Sequence, residues 1–402
     1  MKINVVMIGH VDHGKSTLIG RLLYDSDSLT EGRVEEIQQL AQEYKRRFEF
    51  AYFLDSFDDE LKEERTIDTT SGIMFKGRNL YTVTDVPGHK EFIKNMLTGA
   101  SHADVAVLVV ASQEGIQEQT GRHTFLVNML GIKHLFVFVN KMDAVDYREE
   151  IYEDIKKDVS QLLESFSYHD VVFIPGSAML GDNIYKKSDK MPWYNGPALI
   201  EALDSVKINK EIKPLRFVVQ DIYTVNSQKI IIGRVESGVL HRGDDIIFNP
   251  SGVEGKVTRI TTYDGDFDEA QTGDCVGIIS DCEPARGDVG GMTADPPLSS
   301  REFLGEAVLL DSTLKKGEML ELRCGTARVK CKIKEIKEKI NSQTGEVIAK
   351  SPDTINEHEA ATIIFATKPI VVEQFSNIPE LGRFMLVRDK NIAAGIVLET
   401  KI

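Results

Sequence analysis

A glycine-rich stretch directly after the first apolar run constrains the fold of this chain more than any other feature. Ile3–Ile8 is apolar, and Gly9–Ser16 reads GHVDHGKS, which matches the pattern G-x-x-x-x-G-K-[ST]. Glycines let backbone N–H groups meet an anion without an intervening Cβ, and a following helix adds its positive N-terminal end. The sequence therefore predicts a strand, a phosphate-binding loop and a helix over Lys15–Leu23.

Three further short motifs follow in order, and each comes after an apolar, strand-like run. They are Asp85–Gly88 (DVPG), Asn140–Asp143 (NKMD) and Gly176–Ala178 (GSA). Any one of them alone occurs by chance. Together, at the ends of successive strands, they predict one site for a guanine nucleotide, because ligands bind at the carboxyl ends of parallel strands.

Strand and helix signals alternate up to about residue 205. Val105–Val110 is an unbroken apolar run, which is typical of a parallel strand buried on both faces, and Glu118–Leu130 is amphipathic. Beyond that point come short β-rich stretches broken by Gly, Asp and Pro, with a second break at Asp295–Pro297. We predict an α/β P-loop GTPase domain with a doubly wound, mostly parallel sheet, followed by two small β-barrels: residues 1–205, 206–298 and 299–402.

The phosphate chemistry follows from the first two motifs. Lys15 is expected to reach the β- and γ-phosphates, while the Ser16 hydroxyl and Asp85 hold Mg²⁺. The backbone next to Thr17 can contact the α-phosphate. The N–H of Gly88 can contact the γ-phosphate, so the loop after it can report the nucleotide state.

The NKMD and GSA motifs predict base selection. A carboxylate at Asp143 can accept from guanine N1–H and the 2-amino group, which adenine lacks. ATP would leave that carboxylate unsatisfied, at a cost of several kcal/mol. The Lys141 stem can lie along the base, and the N–H of Ala178 can meet O6. The predicted nucleotide-binding residues are Gly9, His10, Val11, Asp12, His13, Gly14, Lys15, Ser16, Thr17, Asp85, Gly88, Asn140, Lys141, Asp143, Ser177 and Ala178.

Two single residues admit more than one interpretation. His89 can orient the attacking water, or it can be a surface histidine; its position beside Asp85 and Gly88 favours the catalytic role. Asp12 can help to hold the loop, bind a monovalent cation, or stand in solvent.

The bulk composition narrows the class of protein. No run of about 18 apolar residues occurs, so a membrane span is not expected. The N-terminus lacks a secretory leader pattern, so we expect a cytoplasmic protein. The net charge of −15 argues against broad nucleic-acid binding but leaves room for a local basic patch. The four cysteines form no C-x-x-C pair, which favours reduced, buried thiols over a zinc site.

The motifs resemble those of the translational GTPases, the group of elongation factor Tu. The likeness rests on GHVDHGK with Asp85–His89 (DVPGH), and it continues beyond the nucleotide domain. Gly233–Leu240 (GRVESGVL) resembles that family's second-domain signature, and Gly273–Gly277 and Arg286–Val289 match as well. The resemblance covers essentially the whole chain. It implies GTP and GDP as ligands with Mg²⁺ and supports the two predicted barrels.

Gly181–Ile184 (GDNI), Met191–Pro197 (MPWYNGP) and Leu199–Leu203 (LIEAL) are unlike elongation factor Tu. They resemble two relatives: the GTPase subunit of the heterodimeric bacterial ATP sulfurylase, and elongation factor one-alpha. The acidic charge balance favours the first. That resemblance implies GTP hydrolysis coupled to adenylyl sulfate formation from ATP and sulfate on a catalytic partner subunit. The alternative is a translation factor that delivers aminoacyl-tRNA to the ribosome, and a third is a related GTPase with another partner.

The first switch departs from the family's pattern. Glu63–Asp68 reads EERTID and lacks the usual Gly-Ile before its threonine. By resemblance Thr66 closes on Mg²⁺ and the γ-phosphate, so the implied metal ligands are Ser16, Thr66 and Asp85, and the implied catalytic residues are His89, Lys15 and Thr66. Arg65 has two interpretations. It can mark a first switch that closes poorly on the nucleotide, which we favour, or it can act as an arginine finger that stabilises the transition state. Under a shifted alignment Thr69 or Thr70 takes the metal role.

Overall fold

The computed structural model describes residues 2–29, 32, 34–37, 39, 49–54, 70–85, 103–166, 168–207, 213–225, 228–263 and 265–400. By its contacts the chain divides into two compact units. The first comprises residues 1–208 with 342–346, and the second comprises residues 209–341 with 347–402.

The first unit is built on a six-stranded sheet with the strand order β2-β3-β1-β4-β5-β6. Every neighbouring pair is parallel except β2 and β3. Its strands are β1 (Lys2–Gly9), β2 (Thr70–Lys76), β3 (Leu80–Asp85), β4 (Val105–Ala111), β5 (His134–Asn140) and β6 (His169–Pro175).

Helices follow the parallel strands, as the alternating sequence pattern predicts. Among the described residues of the first unit, the helices include α1 (Lys15–Asp25), α2 (Glu118–Met129), α3 (Glu149–Leu163) and α4 (Leu199–Asp204), with 3₁₀ turns at Phe50–Phe53 and Met142–Val145. All seven residues of β4 are buried, because β4 lies inside the sheet with layers on both faces. The carboxyl ends of β1, β3, β5 and β6 carry the four sequence motifs.

The second unit contains two closed sheets. In the first, β10 pairs with both β15 and β11, so the order β10-β15-β7-β8-β14-β11 closes on itself and β12 extends it. The strands are β7 (Arg216–Val225), β8 (Gln228–Ser237), β9 (Val239–His241), β10 (Asp245–Asn249), β11 (Val253–Thr262), β12 (Gly265–Phe267), β13 (Glu269–Gln271), β14 (Cys275–Ser280) and β15 (Val289–Met292).

The second closed sheet repeats this plan, with the order β18-β23-β24-β16-β22-β19, a closing pair β18–β19 and β20 attached to β19. A short helix α5 (Pro379–Gly382) precedes β23. The strands are β16 (Ser299–Leu309), β17 (Leu314–Lys315), β18 (Met319–Cys324), β19 (Ala327–Asn341), β20 (Val347–Lys350), β21 (Thr354–Ile355), β22 (Glu359–Val371), β23 (Arg383–Val387) and β24 (Asn391–Glu399).

The predicted fold class, a mostly parallel α/β sheet followed by two β-barrels, is confirmed. Each barrel has its own apolar core: Phe217 and Phe248 lie in the first, and Phe303 and Phe365 in the second. Closing the sheets leaves no open edge on the six strands of each ring. The sequence pattern did not reveal β2, the antiparallel edge strand of the first sheet.

An apolar contact and a buried ion pair join the two barrels within the second unit. Val218 and Val289 of the first barrel pack with Val371, Ile378 and Leu381, all at most 3% exposed. Beside them, Arg216 Nε donates to Glu373 Oε1 at 2.7 Å, and the two side chains are 5% and 16% exposed. The barrels therefore form one packed body.

The structure bears on two further expectations. No helix in the described part of the chain is long and apolar enough to cross a membrane. All four cysteines are free; Cys275 is exposed and the other three are buried. Burial raises the pKa of the Cys324 and Cys331 thiols to about 12, so both are protonated at neutral pH. The described residues contain no group of three or more His, Cys, Asp or Glu that could hold a metal.

We expect Glu373→Gln to lower the unfolding free energy of the two-barrel unit by about 1–3 kcal/mol, because Arg216 would keep its charge in a buried place without an anionic partner. The check is the midpoint of chemical denaturation of the full chain. Glu321→Gln removes the carboxylate of a half-exposed pair with Arg323 and serves as the control, at roughly 0–1 kcal/mol. Equal effects of the two substitutions would contradict the assignment.

Candidate guanine nucleotide site

The loop between β1 and α1 has the backbone that a phosphate cradle requires. Gly9 and Gly14 have φ of 141° and 91°, and Asp12 is left-handed at 61°. A Cβ on Gly9 would lie 2.3 Å from the carbonyl oxygen of Val109, and one on Gly14 would lie 2.4 Å from the side-chain nitrogen of Asn140. Only glycine fits both places. Helix α1 begins directly after Gly14, so the positive end of its dipole lies at the loop.

Lys15 is folded over this loop. Its Nζ donates to the carbonyl oxygens of Gly9 at 3.1 Å and His10 at 2.8 Å, and the residue is 7% exposed. Burial lowers the pKa of Lys15, while the negative charges of Asp85 and Asp12 oppose that shift. Of these two carboxylates Asp12 is exposed. Within the described part of the chain this buried cation is hydrogen-bonded to neutral carbonyl oxygens, so it is suited to receive an anionic ligand.

Ser16 and Asp85 meet as the sequence predicts. The Ser16 hydroxyl donates to Asp85 Oδ2 at 2.9 Å, and Asp85 is buried at the carboxyl end of β3. A hydroxyl and a carboxylate are hard oxygen ligands, and Mg²⁺ at phosphate sites takes only one or two protein ligands beside phosphate and water. The pair therefore fits Mg²⁺, whose positive charge would balance the phosphate oxygens held by the loop.

The amide of Asn140 joins the phosphate loop to the GSA loop. Asn140 Nδ2 donates to the carbonyl oxygen of His13 at 2.8 Å, and Asn140 Oδ1 accepts from the N–H of Ala178 at 2.8 Å. The residue is 2% exposed. Both ends of the amide are thus used within the protein. Asn140 brings three of the four motifs together and need not contact a base to do so.

The same contact changes the expected role of Ala178. The sequence suggested that its N–H meets guanine O6, whereas in the structure this N–H donates to Asn140. A contact to O6 would require the donor to be shared. Ser177 is fully buried, and its hydroxyl accepts from the N–H of Leu180 at 3.2 Å, so it shapes the loop.

Asp143 and Lys141 lie at the start of the turn after β5. Lys141 is left-handed, with φ 62°, and its carbonyl accepts from the Ser112 hydroxyl at 2.7 Å. The Asp143 carboxylate is half-buried and makes no hydrogen bond or ion pair to the described part of the chain. It is therefore available to accept from a ligand on the same side of the sheet as the phosphate loop.

Two buried histidines help to fix the phosphate loop: His13, which is part of the loop, and His123 on α2. His123 on α2 accepts the N–H of Gly9 at Nδ1, at 3.2 Å, and burial lowers its pKa to about 3. His13 lies 3.3 Å from the carbonyl of Val109 through Nδ1, and burial lowers its pKa to about 4. Both rings are therefore neutral at physiological pH. Sequence reasoning missed His123, because no motif links residue 123 to residue 9.

Several predicted residues lie outside the described part of the chain. They are Gly88 and His89 of the second motif and Arg65, Thr66 and Thr69 of the first switch. Thr70 is described through its backbone only, and it pairs with Asp85 across β2 and β3.

Three family models match the chain in succession. The Elongation factor Tu GTP binding domain matches residues 1–209, the Elongation factor Tu domain 2 matches 228–284, and the GTP-eEF1A C-terminal domain-like model matches 303–398. The chain belongs to the translational GTPases of the elongation factor Tu and elongation factor 1-alpha family. As a member of this family it is a GTPase that binds GTP and GDP with Mg²⁺, which confirms the expected ligands.

Full-length relatives show which members of the family the chain resembles. The chain is 42% identical to elongation factor 1-alpha of Archaeoglobus fulgidus, over 99% of this chain and 97% of that protein. It is 40% identical to elongation factor 1-alpha of Pyrococcus horikoshii, over 98% and 97%. A crystal structure of sup35 complexed with GMPPNP covers 100% of this chain and 94% of its own, at 24% identity and a TM-score of 0.46, a likeness too low to bear on function.

These relatives overturn one expectation. The sequence favoured the GTPase subunit of ATP sulfurylase and therefore a catalytic sulfurylase subunit as partner. That interpretation is wrong, because the full-length relatives at about 40% identity are elongation factors 1-alpha. It rested on an acidic charge balance, which measures solubility and long-range fields rather than fold or partner.

We expect His123→Asn to make the unfolding free energy less dependent on pH below neutrality. Asn Oδ1 can still accept the N–H of Gly9. In the wild type the pKa of His123 is about 3 when folded and 6.5 when unfolded, so between these values only the unfolded chain takes up the proton, and stability falls as pH falls.

The measurement is the denaturation midpoint of wild type and variant at about pH 7.5 and about pH 5, on either side of the ordinary histidine pKa. The variant should lose less stability on acidification than the wild type. His123→Ala, which removes the acceptor, should be less stable at both pH values. Parallel pH profiles for wild type and His123→Asn would rule out this protonation state.

Proposed function

We propose that this protein is a translation elongation factor of the elongation factor 1-alpha type. In the GTP state it binds aminoacyl-tRNA and delivers it to the ribosome, and hydrolysis releases it. The observation that carries this proposal is identity of about 40% to elongation factors 1-alpha over nearly the whole length of both chains. A protein with this function acts in the cytoplasm. The proposal keeps the predicted domains at residues 1–205, 206–298 and 299–402.

The roles of the site residues are part of the proposal. Lys15 and the loop from Gly9 to Thr17 hold the phosphates, and Ser16, Asp85 and Thr66 hold Mg²⁺. Asp143 selects guanine, supported by the loops of Asn140 and Ser177. His89 orients the attacking water, and Gly88 senses the γ-phosphate. Two facts support these assignments: the Ser16–Asp85 contact and the Asn140 bridge between the loops.

A row of basic side chains on the second barrel supports RNA as a partner. Along β19, Arg328, Lys330, Lys332 and Lys334 occupy alternate positions and are exposed, while Cys331 and Ile333 between them are buried. Arg328, Lys330 and Lys332 make no ion pair with the described part of the chain, whereas Lys334 pairs with Glu302. Three cations without an ion pair to the described part of the chain, on one strand face, suit a phosphate backbone, although the whole chain is acidic.

The test is GTP-dependent protection of aminoacyl-tRNA. We expect the protein with a non-hydrolysable GTP analogue to slow spontaneous hydrolysis of the aminoacyl ester, and the GDP form to protect at least about tenfold less, as a ligand-driven two-state switch requires. Lys330→Glu with Lys332→Glu should weaken binding and reduce the steepness of its salt dependence, by roughly one unit of log–log slope for each lost phosphate contact.

Lys315→Glu changes an exposed lysine of the same barrel outside the basic row and should leave affinity and salt slope near wild type. GTP binding without any protection of aminoacyl-tRNA would refute the translation factor and leave a GTPase of this family with another partner. An unchanged salt slope in the double variant would refute the role of the basic row alone.

Asp143→Asn should change the preferred base from guanine to xanthine. The amide can donate to the 2-oxo group of xanthine, whereas the carboxylate accepts from the 2-amino group of guanine. We expect GDP affinity to fall by about 100-fold or more, the scale of a lost charged hydrogen-bond pair, while xanthosine diphosphate binds more tightly than to the wild type. The check is competition against a fluorescent nucleotide. Unchanged GDP affinity would reject Asp143 as the selecting residue.

A further inference from the structure

The turn that follows Asp143 is held in a strained backbone. Asp146 and Tyr147 are consecutive non-glycine residues with φ of 54° and 57°, and Lys141 before them has φ of 62°. A left-handed backbone is unfavourable for a residue with a side chain, because Cβ comes too close to the following carbonyl oxygen. Such conformations persist only where surrounding contacts impose them. The N–H of Tyr147 donates to the carbonyl oxygen of Met142 at 2.9 Å, which is internal to the turn, and the N–H of Met142 donates to the carbonyl oxygen of Gly176 at 3.1 Å. Contacts from outside the turn must therefore hold its far end, at Tyr147.

Tyr147 is held from outside the turn at both its side chain and its main chain. Its hydroxyl donates to Asp182 Oδ2 at 2.9 Å, and Lys190 Nζ donates to the same hydroxyl oxygen at 3.0 Å. Its carbonyl oxygen accepts from Trp193 Nε1 at 3.0 Å. All three partners belong to residues 181–194, a segment that the phosphate and base motifs do not include.

The same segment is tied to the GSA loop. The main-chain oxygen of Asp182 accepts from the N–H of Ser177 at 3.2 Å, and the N–H groups of Gly181 and Asp182 donate to the carbonyl of Ser177 at 2.8 and 3.1 Å. One residue, Asp182, thus contacts the GSA loop with its backbone and the turn after Asp143 with its carboxylate.

The segment has the rigidity that such a role requires. The Asp182 carboxylate is 8% exposed and also accepts from Lys190 Nζ at 3.1 Å and the Ser188 hydroxyl at 2.7 Å, so its charge is fully paired. The Trp193 ring packs on Tyr152 of α3 with centroids 5.2 Å apart. The packed Trp193 and Tyr152 rings and the nearly buried Asp182 carboxylate limit the arrangements open to this segment, although the Lys190 side chain itself is 47% exposed.

We propose that Asp182, Lys190 and Trp193 form a bracket that positions the guanine-recognition turn. The bracket fixes Tyr147 and thereby the strained turn that carries Asp143, and it sets this turn against the GSA loop. Its members are positioning residues that do not touch the nucleotide. The inference rests on the proposed role of Asp143 and adds to it the groups that preorganise that carboxylate for the N1–H and 2-amino donors of guanine.

The experiment compares Tyr147→Phe and Trp193→Phe with the wild-type chain. Tyr147→Phe keeps the ring and removes the hydroxyl that makes two hydrogen bonds of the bracket. Trp193→Phe removes the single hydrogen bond from Nε1 and replaces the indole by a smaller apolar ring. We expect either variant to release a fluorescent GDP derivative about five- to tenfold faster, the scale of one or two lost hydrogen bonds. We also expect a smaller affinity ratio of GDP to IDP, which lacks the 2-amino group, because a displaced Asp143 reads that group less well.

The matched control is Tyr194→Phe. Its hydroxyl donates to the carbonyl oxygens of Phe173 and Pro197 and not to the turn, so both the release rate and the GDP to IDP ratio should stay near wild type. A purely structural role would alter thermal stability in all three variants and leave the GDP to IDP ratio unchanged, which would overturn the proposal.

Asp143→Asn separates this inference from its premise. If Asp143→Asn loses guanine preference while Tyr147→Phe and Trp193→Phe keep the wild-type ratio, the bracket is refuted and the base assignment stands. If Asp143→Asn retains guanine preference, the base assignment fails, and the bracket fails with it. Should Trp193→Phe not fold, Tyr147→Phe decides alone, since it removes a single partly exposed hydroxyl.

Discussion

The amide of Asn140 is the interaction on which the nucleotide site depends. It is buried at the end of β5 and spans from the phosphate loop to the GSA loop with two hydrogen bonds of 2.8 Å. An amide presents a donor and an acceptor on two separate atoms, whereas an ionised carboxylate only accepts and an ammonium only donates, so neither of these could make both contacts. A Cβ at position 14 would collide with this amide, so the asparagine can sit here only beside a glycine.

This bridge explains why motifs far apart in sequence act as one site. The parallel sheet brings the ends of β1, β5 and β6 to one edge, but a sheet alone fixes only the strands. The loops beyond them are fixed by side chains: Asn140 for the phosphate and GSA loops, His123 for the N–H of Gly9, and Tyr147 for the turn after Asp143. Each of these side chains is held by hydrogen bonds to other parts of the first unit.

Much of this could be predicted from sequence because it depends on local pattern. The strand before Gly9, the helix from Lys15 and the Ser16–Asp85 pair follow from periodicity and motif spacing. The contacts of His123 with Gly9, of Arg216 with Glu373 and of Trp193 with Tyr147 could not be predicted, since each joins residues at least 46 positions apart without a motif. The antiparallel strand β2 could not be predicted, because no motif in the sequence indicates that it pairs with β3.

Charge illustrates the same difference between composition and arrangement. A net charge of −15 argues against broad nucleic-acid binding, yet the alternation of β19 puts four basic side chains on one exposed face. In a strand the side-chain period of two sorts residues by face, so a basic row can form in an acidic chain whenever lysines occupy every second position. In the proposed RNA complex, counterion release would depend on that local row and on the carboxylates beside it, such as Glu302 at Lys334, and not on carboxylates beyond about a Debye length, ~8 Å at physiological salt. The position of basic residues along a strand therefore bears more directly on the proposed RNA partner than the sum of charges does.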